Sequence, residues 1–322
     1  MRKSSKIVVG IRDSKLSRAQ TNIFLDEANK IEELRNRFSF DVRTIKTTGD
    51  IHNSHRLDQI GGKGLFIREI EEKLISEEID LAVHSMKDIP AQGSANNLKI
   101  VCFLRRLCNN DVLLSNSGKK LNELPSGSII GTSSIRRRSQ ILNLRKDLSI
   151  KLLRGNVDTR IKKLRDQQYD AIILSKAGLD RLNLTHLITE VLDNSFFLPA
   201  ACQGAVGIQV RENSPMIKDL KKINHIITER ECLAERRILK IINANCNSPI
   251  SVAAKIDSKN ITIACEVFDH NGNKLFKETH HGREDQFINL SEILAKKILS
   301  TIGQKKINEL DVLNNDFDYK AI

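Results

Sequence analysis

The chain has 322 residues, of which 52 are basic and 40 acidic, and a formal net charge of +12. This length is enough for two or three domains, each with its own hydrophobic core. No apolar run approaches the roughly 20 residues that a membrane-spanning helix needs, and the N-terminal residues form no hydrophobic signal core. We therefore predict a cytoplasmic protein without a membrane partner. Aromatic residues make up only 4% of the chain and are not interleaved with the basic ones, so the charge gives little support for nucleic-acid binding.

The six cysteines follow no metal-binding or disulfide pattern. None forms a Cys-x-x-Cys pair and no histidine lies at zinc-ligand spacing, so we predict no metal site. Four of them are expected to be small buried hydrophobic residues, namely Cys102, Cys202, Cys232 and Cys265. Cys246 instead lies in an Asn-rich polar loop after a predicted helix. Its thiolate there is a candidate nucleophile or attachment point, and a purely structural role stays open.

The first hundred residues alternate between predicted strands and helices. A strand over 7–10 precedes helical spacing over 17–34, a half-buried strand over 40–46 and a second helix over 65–76. The stretch 47–64 is too rich in glycine for a helix and too long for a tight turn. We predict that it forms a mobile flap on an α/β domain.

A second α/β domain is predicted after the polar segment 108–111, which has the composition of a hinge. Strands are expected at 128–131, 150–153 and 171–174, with helices between them at 134–144 and 157–166. This alternation of strands and helices is typical of a doubly wound sheet.

A smaller α+β domain is predicted at the C-terminal end. A charged amphipathic helix over 229–242 precedes strands over 250–254 and 261–268, a turn at 270–272 and a closing helix over 290–302. The predicted domain limits are 1–106 with 203–222 for the first domain, 110–199 for the second and 226–322 for the third.

One carboxylate follows a predicted buried strand at a position suited to catalysis. Asp88 ends the run 80–88, whose first half is mostly apolar, and Lys87 precedes it. Open α/β sheets bind ligands at the carboxyl ends of their strands. Lys87 would bind an anionic group there, while Asp88 acts on a proton or a developing cation. The alternative is a surface ion pair without function. His84, inside the strand, is expected to face the core.

Two predicted strand-to-helix junctions in the second domain combine hydroxyl groups with arginines. Helix N-termini attract anions, and guanidinium groups match carboxylates or phosphates in shape and charge. The residues concerned are Ser133, Ser134, Arg136, Arg137, Arg154 and Arg160. Arg12 and Ser14 follow the first strand in the same way. The pattern predicts a site for a polyanionic substrate, and the alternative is ordinary helix capping beside a solvated basic face.

Taken together, these motifs resemble the porphobilinogen deaminase family, also called hydroxymethylbilane synthases. The matching segments run nearly end to end: Arg12-x-Ser14, 61–66 (GGKGLF), 84–88 (HSMKD), 131–137 (GTSSIRR), 153–160 (LRGNVDTR), 169–174 (YDAIIL), 177–182 (AGLDRL) and 203–207 (QGAVG). The resemblance implies two doubly wound α/β domains, like those of periplasmic binding proteins, around a cleft. A smaller C-terminal α+β domain would carry the cofactor cysteine.

The resemblance also implies a reaction and a cofactor. The enzyme would be a transferase of haem biosynthesis that joins four porphobilinogen molecules head to tail and releases ammonia at each step. Water would finally release hydroxymethylbilane. The chain would grow on a dipyrromethane cofactor, made from the substrate and held by a thioether to Cys246. Asp88 would stabilise positive charge on a pyrrole nitrogen and move protons. The protein would act as a monomer.

The remaining site residues also follow from the resemblance. They would hold acetate and propionate groups, receive the substrate or cover the cleft, and they are Arg12, Ser14, Lys63, Ser85, Lys87, Thr132, Ser133, Ser134, Arg136, Arg137, Arg154, Gly155, Asn156, Arg160, Arg181 and Gln203. The chain departs from the family pattern at three places. Asn243-Ala244-Asn245 precede the cysteine where glycines are usual, Gln59 stands in the flap in place of a lysine, and Cys108-Asn109-Asn110 replaces an Asp-Pro-Arg hinge.

Two other functions stay open on the sequence. A non-catalytic anion-binding protein of the same fold explains the arginines but requires neither Asp88 nor Cys246. A nucleic-acid-binding protein explains the net charge and predicts a steep dependence of affinity on salt.

Overall fold

The computed structural model describes residues 5–47, 67–93, 97–244 and 248–311. The chain forms two compact units, the first from residues 1–107 and 204–229 and the second from 108–203 and 230–322. The second unit thus contains both the predicted second domain and the C-terminal domain. None of the helices in the described ranges is long and apolar enough to cross a membrane.

The first unit is built on a five-stranded sheet. Its strands, in sheet order, are β2 (Phe38–Ile45), β1 (Ser5–Arg12), β3 (Leu81–Ser85), β10 (Val206–Arg211) and β4 (Leu98–Phe103). Strand β1 runs parallel to both β2 and β3, whereas β10 is antiparallel to β3 and β4. The central strands β3 and β10 are buried on both faces, which is typical of sheets that helices cover on both sides.

The helices of the first unit are α1 (Lys15–Lys30), α2 (Glu32–Arg37), α3 (Arg68–Ile75) and α7 (Ile217–Leu220). The single helix predicted over 17–34 is wrong, because the chain breaks at Ile31. The backbone of Ile31 is extended, with φ −93° and ψ 109°, so it ends α1 and begins α2. A β-branched residue favours this conformation, and apolar periodicity alone does not reveal such a break.

The second unit contains a five-stranded sheet of the same design. Its strands, in sheet order, are β7 (Ser149–Lys151), β6 (Ile129–Gly131), β8 (Ala171–Ser175), β5 (Asp111–Ser115) and β9 (Glu190–Val191). Strand β6 is parallel to β7 and β8, and β5 is antiparallel to β8 and β9. The helices are α4 (Ile135–Leu144), α5 (Val157–Arg165) and α6 (Lys176–Arg181).

The antiparallel strand of each sheet follows a point where the chain passes from one unit to the other. Strand β5 starts four residues after Leu107, and β10 starts two residues after Gly204. The segment 108–111 was predicted only as a hinge, yet its last residue, Asp111, already belongs to a buried strand. The predicted architecture of two doubly wound α/β domains, with a smaller α+β domain after them, is confirmed.

The C-terminal part of the second unit is a three-stranded antiparallel sheet with helices. It comprises α8 (Ile226–Ile241), β11 (Ile250–Asp257), β12 (Asn260–Phe268), β13 (Lys274–Arg283), α9 (Phe287–Ile302) and α10 (Gln304–Asp311). Two buried glutamates of α8 cover the open edge of β11. Glu235 Oε1 accepts a hydrogen bond from the amide of Ala254 at 2.7 Å, and Glu231 Oε1 accepts one from Ile256 at 2.9 Å. Exposed strand edges promote aggregation, so these contacts protect the sheet.

The hairpin turn after β12 packs on helix α4. The side-chain amide of Asn143 donates to the carbonyl of Gly272 at 2.9 Å, and Arg138 donates to the carbonyl of His270. Gly272 has φ +83°, and a Cβ there would lie 2.8 Å from the backbone nitrogen of Asn143. Only glycine fits this close approach. The predicted turn at 270–272 is therefore confirmed, and it fixes the helix that begins with Arg136 and Arg137.

Candidate functional site

Asp88 lies directly after strand β3, in a single turn of 3₁₀ helix formed by Met86–Asp88. The four residues 81–84 are buried, so the predicted strand is confirmed. The Asp88 side chain is half-buried, and no described residue donates a hydrogen bond to it or forms an ion pair with it. Its neighbour Ser85 is held in place, because its Oγ accepts a hydrogen bond from Gln20 of α1 at 2.7 Å. A carboxylate without a hydrogen-bond or ion-pair partner among the described residues remains available to a ligand.

The first strand-to-helix junction of the same unit carries Arg12 and Ser14. Arg12 is the last residue of β1 and is half-buried. Ser14 is the N-cap of α1, and its Oγ accepts a hydrogen bond from the amide of Ser17 at 3.1 Å. Helix capping thus occupies one lone pair of this hydroxyl, but its hydrogen can still be donated to another group.

Arg136 and Arg137 meet at one buried carboxylate in the second unit. Arg136 Nη2 donates to Asp111 Oδ2 at 2.7 Å, and Arg137 Nη2 donates to Asp111 Oδ1 at 2.6 Å. Asp111 is fully buried, and the two arginines are 4% and 6% exposed. Each arginine also donates through Nη1 to a backbone carbonyl at 2.9 Å, of Leu198 and Ile173 respectively. The alternative of a solvated basic face is therefore wrong for these two residues.

The charges of this cluster do not balance. Burial by itself would raise the pKa of Asp111, but the two guanidiniums hold it well below its usual value. Burial lowers the pKa of Arg136, and the charge of Asp111 opposes that change. Two cations thus face one anion. The Nε–H of Arg136 is also buried without a partner among the described residues. Uncompensated buried charge is unfavourable, so the cluster fits a further carboxylate supplied by a ligand.

Gln203 joins the same cluster. Its Nε2 donates to Asp111 Oδ1 at 2.9 Å and to the carbonyl of Asn109 at 2.8 Å. The preceding residue, Cys202, has φ +59°, which is rare for a residue other than glycine. A hydrogen bond from the Cys202 amide to buried Glu235 of α8 stabilises this conformation. The C-terminal domain thereby helps to orient Gln203.

The hydroxyl groups before helix α4 shape its N-terminus. Thr132 Oγ1 accepts a hydrogen bond from the amide of Ser134 at 3.1 Å. Ser134 is the N-cap, and its Oγ accepts from the amide of Arg137 at 3.4 Å. Ser133, between them, is half-buried. The predicted strand-to-helix junction is confirmed, and its capping residues bring both arginines into the first helical turn.

The second junction depends on Gly155. Its φ is +112°, and a Cβ would lie 2.7 Å from Cγ2 of Thr159. Arg160 Nε donates to the carbonyl of Gly155 at 2.7 Å, which ties the first turn of α5 to the loop. Asn156 is the N-cap but makes no side-chain capping bond, and Arg154 is half-buried.

Arg181 ends helix α6. Burial lowers its pKa to about 10, and the charge of Asp180 partly opposes this shift. The side chain therefore stays cationic at neutral pH. Asp180 itself forms an ion pair with Lys176 at 2.8 Å.

The predicted site residues fall in both units. Arg12, Ser14, Ser85, Lys87 and Asp88 belong to the first, and the described residues from Thr132 to Gln203 belong to the second. The structure brings Arg136, Arg137 and Gln203 together, and a cleft that unites the two groups stays a prediction. Lys63, Gln59 and Cys246 lie outside the described residues, as does nearly all of the predicted flap.

Asp111 is a site residue that the sequence patterns did not predict, because the segment 108–111 was interpreted only as a hinge. The sequence nevertheless contains a signal for a buried Asp111. Asp111 precedes the apolar residues Val112, Leu113 and Leu114, which form a buried strand. A carboxylate at the start of a buried strand requires a cationic partner, and the arginine-rich helix was available.

Comparison with known proteins decides the family. Residues 7–219 match the family model described as "Porphobilinogen deaminase, dipyromethane cofactor binding domain", and residues 229–300 match "Porphobilinogen deaminase, C-terminal domain". The chain belongs to the porphobilinogen deaminase family. A porphobilinogen deaminase of Geobacillus sp. (strain WCH70) is 42% identical over 305 residues, 94% of this chain and 96% of the relative. One from Bacillus cereus (strain ZK / E33L) is 42% identical over 288 residues, 88% of this chain and 92% of the relative.

Family membership confirms the predicted function and cofactor. The protein is an enzyme, a transferase of tetrapyrrole synthesis, and residues 7–219 match the domain that binds the dipyrromethane cofactor in this family.

Solved structures similar to the chain include periplasmic binding domains. The VFT2 domain of Bordetella pertussis BvgS has a TM-score of 0.42 and 14% identity, covering 72% of this chain and 91% of that one. An arginine-specific periplasmic binding protein of Salmonella typhimurium has a TM-score of 0.40 and 10% identity, covering 73% and 98%.

Proposed function

We propose that the enzyme is a hydroxymethylbilane synthase that condenses four porphobilinogen molecules on a dipyrromethane cofactor attached to Cys246. The observation that carries this proposal is the buried cluster of Asp111, Arg136 and Arg137, which holds two cations against one anion. Every pyrrole unit of the substrate and the cofactor bears an acetate and a propionate. A carboxylate from one of these groups would balance the charge of the cluster.

When bound, the cofactor supplies the nucleophilic pyrrole carbon onto which substrate is added. The arginines of the second unit bind its carboxylates, because guanidinium groups donate two parallel hydrogen bonds to one carboxylate. Arg136 and Arg137 offer their remaining N–H groups at the first junction, and Arg154 and Arg160 serve the second. Ser133 and Thr132 add hydroxyl donors.

Residues of the first unit act on the incoming substrate. Arg12 and Lys87 are cations at the ends of β1 and β3, and they bind substrate carboxylates there. Asp88 is the acid–base group. It receives no hydrogen bond from a described residue, so its oxygens can stabilise positive charge on a pyrrole nitrogen and take up or return a proton.

The first test is the intact mass of the denatured protein, for the wild type and for Cys246→Ser. We expect an increment of two linked pyrrole units on the wild type, absent from the variant. A wild type without this increment, from a host that makes porphobilinogen, would contradict cofactor attachment and favour a non-catalytic anion-binding protein.

The second test is turnover by Asp88→Asn. We expect bilane formation to fall by about 10²- to 10⁴-fold, the usual contribution of a positioned acid–base group. The matched control is Asp26→Asn, which removes an exposed carboxylate from helix α1 of the same unit. Normal turnover by Asp88→Asn would disprove the proposed role. The cytoplasmic location, the monomeric state and the absence of nucleic-acid and membrane partners remain predictions.

A further inference from the structure

A chain of three buried polar side chains lies behind the Asp88 turn. His84 of β3 is 4% exposed, Gln209 of β10 is fully buried and Glu71 of α3 is 8% exposed. His84 Nε2 and Gln209 Oε1 are 2.8 Å apart, and Gln209 Nε2 donates to Glu71 Oε1 at 2.7 Å. Buried polar groups are costly unless they are hydrogen-bonded, so this arrangement is well defined. The reaction proposed above uses none of the three.

The hydrogen bonds of Gln209 determine which ring nitrogen of His84 carries the hydrogen. The amide nitrogen of Gln209 donates to the carboxylate oxygen of Glu71, so the amide oxygen of Gln209 faces His84. That oxygen can only accept, and His84 must therefore carry its hydrogen on Nε2. In the neutral ring, Nδ1 is then left with a lone pair.

The imidazole stays neutral at neutral pH. Burial lowers the pKa of His84 to about 4; the bond to Gln209 and the negative charge of Asp88 oppose this shift, and the positive charge of Arg12 adds to it. Asp88 and Arg12 are thus the charged groups that change the pKa of His84. A ring with so low a pKa is not an imidazolium at neutral pH and is a weak base, so it does not transfer protons during turnover. Any function of His84 therefore acts through another residue.

The hydrogen bonds between Glu71, Gln209 and His84 connect three elements of the fold at the end of β3. In the sheet, His84 pairs with Gly207 and lies diagonally from Gln209, while Glu71 reaches the same point from helix α3. Met86, two residues after His84, is also anchored, because its amide donates to the carbonyl of Ala205 at 3.1 Å. A Cβ on Gly207 would lie 2.2 Å from Sδ of Met86, so this side chain packs directly on the strand. Every contact here restrains the backbone from which Asp88 projects.

We propose that the Glu71–Gln209–His84 chain is a positioning device for Asp88. It fixes the carboxyl end of β3 so that the three-residue turn of Met86–Asp88 holds the Asp88 carboxylate at one place. The proposal rests on the acid–base role assigned to Asp88. Displacing a reacting group by about 1 Å can reduce a rate by about 10²-fold, so such support has a measurable effect on turnover.

Paired substitutions of His84 test the proposal. His84→Gln places an N–H donor near the former Nε2 and keeps the bond to Gln209, whereas His84→Leu removes it. We expect His84→Leu to lower kcat by about 10- to 100-fold with little change in KM, and His84→Gln to stay within about threefold of the wild type. Cofactor loading, measured by intact mass, should be unchanged in both.

Two results for the His84 variants would contradict the positioning role of the Glu71–Gln209–His84 chain. Equal losses in both variants would mean that the ring itself is needed, and a normal kcat for His84→Leu would make the chain an ordinary feature of the core. If His84→Leu does not fold, Glu71→Gln and Glu71→Leu give the same comparison, because only the glutamine keeps an acceptor oxygen for Gln209.

A measurement on the wild type separates this proposal from the role of Asp88. Nitrogen chemical shifts of the His84 ring should show a hydrogen on Nε2 and a lone pair on Nδ1 from pH 8 down to about pH 5. A ring protonated on Nδ1 at neutral pH would contradict the chain whatever the activity data show. Normal turnover by Asp88→Asn, with the expected tautomer present, would instead refute the acid–base role of Asp88, and with it the positioning function, while the hydrogen-bonded chain itself stands.

Discussion

Arg137 donates two hydrogen bonds to the same oxygen of Asp111, from Nε at 3.1 Å and from Nη2 at 2.6 Å. Asp111 is the first residue of β5, and Arg137 lies in the first turn of α4. Because Arg136 binds the other oxygen, one buried carboxylate orients two guanidinium groups. Asp111 therefore determines the geometry of the anion site although it carries the same charge as the ligand.

Asp111→Asn should destabilise the protein and weaken cofactor binding together. Removing one partner of a buried ion pair typically costs about 3–5 kcal/mol, because the remaining charges lose their compensation. We expect a loss of that order in the free energy of unfolding in urea, and a smaller loaded fraction by intact mass. The control is Asp147→Asn, which breaks the partly exposed pair with Arg145 and should cost much less stability than Asp111→Asn. Equal effects of the two substitutions would contradict the assignment.

The stability of the protein should depend on the protonation of His84. Its pKa is about 4 in the folded state and 6.5 for an unperturbed histidine, so the unfolded chain binds more protons between these values. Stability is therefore fully present above pH 6.5 and falls as the pH drops towards 4. The contribution is on the order of 3 kcal/mol. His84→Gln should show a smaller loss between pH 7 and pH 4.5 in urea unfolding than the wild type, and identical losses would rule out a buried neutral ring.

Cysteine labelling should follow burial. Cys108 is exposed, whereas Cys102, Cys202, Cys232 and Cys265 are buried. Burial raises the pKa of the Cys102 thiol to about 12 and raises that of Cys265 as well, so few thiolates form there. We expect iodoacetamide to modify Cys108 in the folded protein and the four buried thiols only in urea. Cys246 should resist even in urea if it carries the thioether, and its modification there would contradict cofactor attachment.

Gly155→Ala should weaken substrate binding. The added Cβ would meet Thr159 and would also force alanine to a φ of +112°, which displaces the loop that carries Arg154. We expect a KM raised about tenfold, with a loss of stability of about 1–3 kcal/mol. Gly93→Ala is the matched control, since its φ is +122° and nothing lies within 4 Å of the added atom. It should lose stability while KM stays unchanged, and a similar KM for both variants would argue against a substrate contact at this loop.

Several elements of the fold and the site could be predicted from the sequence. The buried run 81–84 before Asp88 and the junctions before Arg136 and Arg160 were predicted correctly, because apolar runs and capping residues act within a few positions. Strands β4 and β13 were not predicted. In β13 a series of lysines and histidines obscures the two-residue alternation, whereas β4 is a short run with one lysine among apolar residues, which periodicity alone does not assign to a strand.

The sequence by itself determined the buried strand before Asp88, the residues that cap the helices and the junctions at which the charged side chains of the site emerge. Only the tertiary structure decided that Arg136 and Arg137 share Asp111, which precedes them by 25 and 26 residues, and that Gln203 joins from 92 residues away. The tertiary structure also placed Gln209 within hydrogen-bond distance of His84, which precedes it by 125 residues, and of Glu71. Periodicity and capping are local properties of a chain. The pairing of buried charges depends instead on the order of strands in a sheet, and no short segment contains that order.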